Sequence, residues 1–106
     1  MGRDFETLLA EIEAEAHAEG PKAVAQMRAY QTRFRLASQL IALRKARGWS
    51  QQELAKMTGI KQPEISKFER GLGSPNEATL ARLIAPFDYH VAFVPDGVDE
   101  RDLVPA

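Results

Sequence analysis

Between Gly48 and Gly71 the chain leaves room for only two short helices, and it marks their ends. Ser50-Gln-Gln-Glu53 has the form of a capping box, in which the serine takes a backbone N–H and the glutamate reaches back to the cap residue. Leu54 and Ala55 give the helix opened by that box its buried side, and Gly59 ends it. Ile60, Ile65 and Phe68 supply the apolar side of a second helix, predicted over 62–69. Two short helices about three residues apart, with glycine in the turn, have room to pack only at a steep angle. Leu54, Ala55, Ile65 and Phe68 lock that angle, small Ala55 allows close approach, and Trp49 is expected to plug the space between the preceding helix and this pair.

The flanks are also helical. Phe5, Leu8, Leu9 and Ile12 fall at i, i+3, i+4 and i+7, one apolar stripe on a helix from about Asp4 to His17. Gly20-Pro21 reads as a stop followed by a start. No further Gly or Pro occurs until Gly48, so a long helix is predicted over about 22–47. It carries two stripes: Met27, Tyr30, Phe34, Ala37 and Ile41, and, turned by about one residue, Leu36, Leu40 and Leu43 with Arg44. One core needs one stripe. The other faces the first helix folded back, a second copy of the chain, or a different protein.

Ser74-Pro75-Asn76-Glu77 reads as a second capping box with proline in the first turn, opening a helix with Leu80, Leu83 and Ile84 that Pro86 ends by about Ala85. Tyr89–Val94 is short, β-branched and aromatic, and reads as one strand that needs a partner from another chain, or else as merely an extended tail. Residues 95–106, with two prolines and four acids, are expected to form a mobile tail.

Charge sharpens this layout. The net charge of −1 hides a division: residues 1–20 carry −5, residues 21–70 carry +8, and residues 71–106 carry −4. A basic middle between acidic ends points to two partners of opposite charge. On the second short helix, Gln62, Pro63, Glu64, Ser66, Lys67 and Arg70 remain exposed. Such a polar-to-basic face suits a DNA major groove, where glutamine binds adenine bidentately.

Several function classes fall away. The chain has no cysteine, which excludes disulfides, thiolate-zinc sites and cysteine nucleophiles. No apolar run approaches the ~20 residues of a membrane span, and no basic-then-apolar leader opens the chain, so a cytoplasmic protein is expected. His17 and His90 have no second histidine at i+3 or i+4 and read as surface or strand residues. Glu11, Glu13 and Glu15 have no catalytic partner, and no phosphate-binding glycine loop occurs. An enzyme is not expected, and neither is a cofactor or metal.

The run Gly48-Trp49-Ser50-Gln51-Gln52-Glu53-Leu54-Ala55, then Gly59-Ile60-Lys61-Gln62-Pro63-Glu64-Ile65-Ser66 and Phe68-Glu69-Arg70-Gly71, resembles the phage-repressor (Cro, Xre) family of helix-turn-helix proteins. The likeness covers roughly residues 36–88. It implies an all-α, five-helix, lambda-repressor-like DNA-binding domain, here with an amino-terminal helical extension and one short carboxy-terminal β-strand. It also implies that Gln51, Gln62, Pro63, Ser66 and Lys67 face bases, that Ser50, Lys61 and Arg70 lie near phosphates, and that Arg44 and Glu69 form a structural ion pair. Pro86 and Asp88 depart from the family pattern, which usually continues the helix and ends it on glycine. Aspartate tolerates left-handed geometry better than most residues.

The long extension and the Val-Ala-Phe-Val-Pro segment after the last helix are similar to antitoxins of the HigBA class and, at the strand, to HipB. That likeness implies a homodimer paired through Tyr89, Val91 and Phe93. It further implies an acidic first helix that grips a small basic toxin, RelE/HigB-like and mRNA-cleaving, through Phe5, Leu8, Leu9 and Ile12. The expected organisation is then residues 1–35 as a partner-binding or dimerisation arm, 36–88 as the double-stranded operator DNA-binding domain, and 89–106 as strand and acidic tail. The competing expectation is a stand-alone Xre-type repressor whose arm serves only dimerisation or packing.

Overall fold

Asp4 fixes the start of the first helix. Its Oδ1 accepts the Thr7 N–H at 2.7 Å, which opens α1 (Phe5–Glu19). That hydrogen bond also holds the Asp4 carboxyl below the usual aspartate pKa. Gly20 ends α1, its N–H donating to the Ala16 carbonyl at 3.2 Å, and Pro21 opens α2 (Pro21–Ala46). The computed structural model describes residues 4–98, which fold as five α-helices and a 3-10 turn. The chain divides into two compact units, Met1–Thr32 and Arg33–Ala106, the division falling inside α2.

In the first unit Ala16 is buried, while Phe5, Leu8, Leu9 and Ile12 stay exposed along one side of α1. The second unit has a true core. Leu40 and Leu43 of α2 meet Leu54, Ile60, Ile65, Phe68, Leu83 and Phe87, and Leu36, Trp49, Ala55, Leu80 and Ile84 pack around them. Each large apolar side chain so buried contributes about 1.5–3 kcal/mol relative to exposure.

The elements of the second unit end where local chemistry dictates. Ser50 caps α3 (Gln51–Thr58): its Oγ accepts the Glu53 N–H at 3.0 Å, and Glu53 Oε1 accepts the Ser50 N–H at 3.3 Å. Gly59, at φ 72°, closes α3 in the left-handed region that favours glycine. Three residues later comes α4 (Gln62–Glu69), followed by α5 (Glu77–Ile84) and the 3-10 turn Ala85–Phe87. Asp88 ends that turn at φ 63°, a left-handed position filled without glycine.

Two expectations need correction. First, α5 is not capped by Ser74. Asn76 is its cap, with Oδ1 accepting the Thr79 N–H at 2.8 Å, and Ser74 Oγ instead accepts Arg33 Nη2 at 3.0 Å. Asparagine caps as well as serine, so once Arg33 engages Ser74 the start moves two residues on. Second, the carboxy-terminal β-strand is absent: Tyr89–Val94 carries no strand assignment. A strand needs an edge to pair with, and no described segment supplies one. Trp49 stacks on Phe87 of the 3-10 turn, at 5.1 Å and 36°, and packs against the core that α2 shares with the two short helices. Of the predicted tail, residues 99–106 lie outside the described residues.

Candidate nucleic-acid interface

The two short helices begin with glutamine: Gln51 is the first residue of α3 and Gln62 the first of α4. The packing of Leu54 against Ile65 and Phe68 carries these two ends together. Gln62 Nε2 donates to Gln51 Oε1 at 2.8 Å. Gln51 Nε2 in turn donates to Glu69 Oε1 at 3.1 Å.

Glu69 is itself clamped. Arg44 donates from Nε to Glu69 Oε2 at 2.7 Å and from Nη2 to Glu69 Oε1 at 2.8 Å. The Arg44 and Glu69 side chains are only 13% and 5% exposed, so this forked pair lies largely out of solvent. Hydrogen bonding to Glu69 raises the Arg44 pKa above its usual value, against the opposing effect of burial. Arg44 Nη1 also donates to the Trp49 carbonyl at 2.8 Å, which ties the loop before α3 to α2. The result is a continuous polar line from α2 through α4 and α3 to the first residue of α4.

The remaining predicted base-facing residues sit on α4. Pro63 and Lys67 are exposed and Ser66 is half-buried. The Lys67 stem passes near Gly73, with Cε 3.7 Å from where a β-carbon on that glycine would lie. Of the three predicted phosphate-side residues, Ser50 caps α3 and Lys61 precedes α4 with its side chain uncommitted to capping. Arg70 comes directly after α4, its Nε donating to the Ser66 carbonyl at 3.3 Å.

The other predicted sites are placed less tightly. Tyr89, Val91 and Phe93 are exposed in chain outside the helices, Phe93 completely. Phe5, Leu8, Leu9 and Ile12 form the exposed face of α1 described above. Among the described residues no group of three or more His, Asp or Glu side chains is placed to hold a metal. No helix among them is long and apolar enough to cross a membrane.

Two connections escape sequence reasoning. Nothing local links Gln51 to Glu69, 18 residues away; the only signal is a glutamine opening each short helix. Nor does periodicity show that Phe34, a member of the first α2 stripe, lies against Gly71. A β-carbon on Gly71 would come within 2.7 Å of the Phe34 ring.

The Helix-turn-helix family model (HTH_3) matches residues 40–94. An HTH-type transcriptional regulator of Haemophilus influenzae is 36% identical over 70 residues, covering 66% of this chain and 71% of that one. Antitoxin HigA1 of Mycobacterium tuberculosis is 37% identical over 81 residues, 76% of this chain; the match spans about half (54%) of the antitoxin. A solved toxin-antitoxin module from Streptococcus pneumoniae superposes with a TM-score of 0.64 at 28% identity, covering 90% of this chain and 96% of that one. The chain belongs to the helix-turn-helix (HTH_3, Xre-like) family of DNA-binding regulators and is related within it to antitoxins of the HigA and HipB type.

Proposed function

We propose that this protein is the antitoxin of a toxin–antitoxin pair, which neutralises a RelE/HigB-like, mRNA-cleaving toxin and represses its own operon. The observation that carries the reading is the pairing of a DNA-binding domain with an acidic helix whose apolar side is left exposed. Phe5, Leu8, Leu9 and Ile12 then seat on the toxin, while the surrounding carboxylates steer its basic surface. On this reading residues 1–35 form the partner arm, 36–88 bind DNA, and 89–106 form a tail that pairs two copies through Tyr89, Val91 and Phe93. The protein acts in the cytoplasm as a homodimer, with its two α4 helices in successive major grooves about 34 Å apart. Gln51, Gln62, Pro63, Ser66 and Lys67 face bases, and Ser50, Lys61 and Arg70 face phosphates.

The test begins with the full chain, tagged and recovered from its native host at moderate salt, with the co-eluting proteins identified. A stoichiometric small basic protein that stops growth when expressed alone, and is silenced by this chain, is expected. Deleting residues 1–20 should abolish that rescue and leave DNA binding in place. Rescue by the truncated chain would remove the acidic helix as the toxin site. Recovery of only the protein and DNA would favour a stand-alone repressor. On the DNA side, Lys67→Ala should relax base preference, whereas Arg70→Ala should weaken all sequences alike and flatten the salt dependence, read by binding titrations at several salt concentrations.

A further inference from the structure

We propose that Arg33 is a further DNA-backbone contact, a phosphate-binding arginine on α2 that lies ahead of the helix-turn-helix homology, which begins at residue 40. This rests on the placement of α4 in the major groove proposed above. With 8 residues, α4 is about 12 Å long, close to the ~12 Å width of that groove. Its proposed base-facing positions run from Gln62 to Lys67, so the chain that follows leaves the groove past one of its walls. That wall is phosphate. Arg70 and the turn Gly71–Ser74 make the passage.

Two contacts bring α2 to the same turn, and every residue in them belongs to the second unit. The Phe34 ring lies so close to Gly71 that a β-carbon there would come within 2.7 Å of it. One residue earlier, Arg33 Nη2 donates to Ser74 Oγ at 3.0 Å. The ring sets α2 directly against the backbone of the turn, and the hydrogen bond draws the guanidinium to its far end. Ser74 is neutral, so the bond positions the guanidinium without opposing its charge. It also gives Ser74 a use, since Asn76 is the residue that caps α5. An arginine fork matches phosphate oxygens bidentately and keeps its charge at any physiological pH. No Asp or Glu occurs in α2, so a phosphate that approaches this helix meets no like charge on it. The basic surface at the exit from the groove is thus built from two elements, Arg70 after α4 and Arg33 on α2.

The test titrates the full-length protein against a DNA duplex selected from randomised sequence, at several salt concentrations. Arg33→Gln keeps a donor for Ser74 but loses the charge. It should lower the slope of log affinity against log salt by about 0.9, the share of one phosphate contact, with base preference unchanged. Arg33→Lys keeps the charge and should hold the slope near the wild-type value, which an arginine needed only for packing would not predict. Lys56→Ala removes an equal charge from the exposed last turn of α3 and should leave the slope unaltered. An Arg33→Gln slope equal to that of the wild type, or lowered only as much as in Lys56→Ala, overturns the inference. So does weaker binding with an intact slope, because Arg33 would then only shape the turn. Arg70→Ala and Lys61→Ala separate the two levels. If they flatten the salt dependence and Arg33→Gln does not, this contact alone is wrong; if neither flattens it, the placement of α4 fails and takes Arg33 with it.

Discussion

The two units of this chain put their apolar side chains to opposite ends. In α1, Phe5, Leu8, Leu9 and Ile12 line one side and remain 38–71% exposed. In the second unit, Leu54, Ile65, Leu83 and Phe87, each from a different element, are at most 2% exposed. The second unit packs several short helices together, whereas α1 is a single helix that passes into α2 through Gly20, itself at φ 113°. Gly59, Gly71 and Asp88 turn the chain in left-handed conformations, so that successive short helices return to a shared centre. A stripe is therefore a core only where the chain is made to come back to it. Elsewhere it stays exposed, as on α1.

The contrast breaks most visibly at Leu54. Leu54→Ala should destabilise the second unit by about 3–5 kcal/mol, since the side chain is fully buried among neighbours that cannot collapse around it. Leu8→Ala, on an exposed face, should cost under about 0.5 kcal/mol. Denaturant unfolding followed by circular dichroism reads both, and equal losses would mean that α1 is buried in solution. Gly71→Ala sharpens the role of the turns. At φ 77°, with the Phe34 ring 2.7 Å from the added carbon, it should cost about 2 kcal/mol. Repeating it in a Phe34→Ala background should recover the steric share and leave the backbone share; no recovery would mean that Phe34 does not sit on Gly71.

The smallest effect belongs to the first unit. The Asp4 carboxylate is stabilised by the Thr7 N–H, so its pKa is lower in the folded helix than in the unfolded chain. Its support for α1 is then present above the unfolded aspartate value and is lost as pH falls through the folded one. The Thr7 amide resonance should shift over that acid range in the wild type and not in Asp4→Ala. A Thr7 titration that survives in Asp4→Ala would show that another group supplies it.

How much of this is legible before folding differs by residue. The ends of α3 are readable because Ser50, Glu53 and Gly59 act on backbone groups within four residues of themselves. The start of α5 is not, because Ser74 and Asn76 are both competent caps, and Arg33, 41 residues away, engages Ser74. The Tyr89–Val94 strand fails for the complementary reason: its composition is that of a strand, but a strand exists only by pairing. Within the candidate site, the face of α4 is set by which positions the core uses. The link from Arg44 through Glu69 and Gln51 to Gln62 has no such local signal.

The sequence by itself determined where most helices begin and end and which side of each is apolar, since caps, turns and periodicity act over a few bonds. The tertiary structure alone decided which polar groups meet. Gln51 and Gln62 lie 11 residues apart, and Gln51 and Glu69 lie 18 apart. No local rule joins such residues; they come together only because burying Leu54, Ile65 and Phe68 fixes the angle between the helices that carry them.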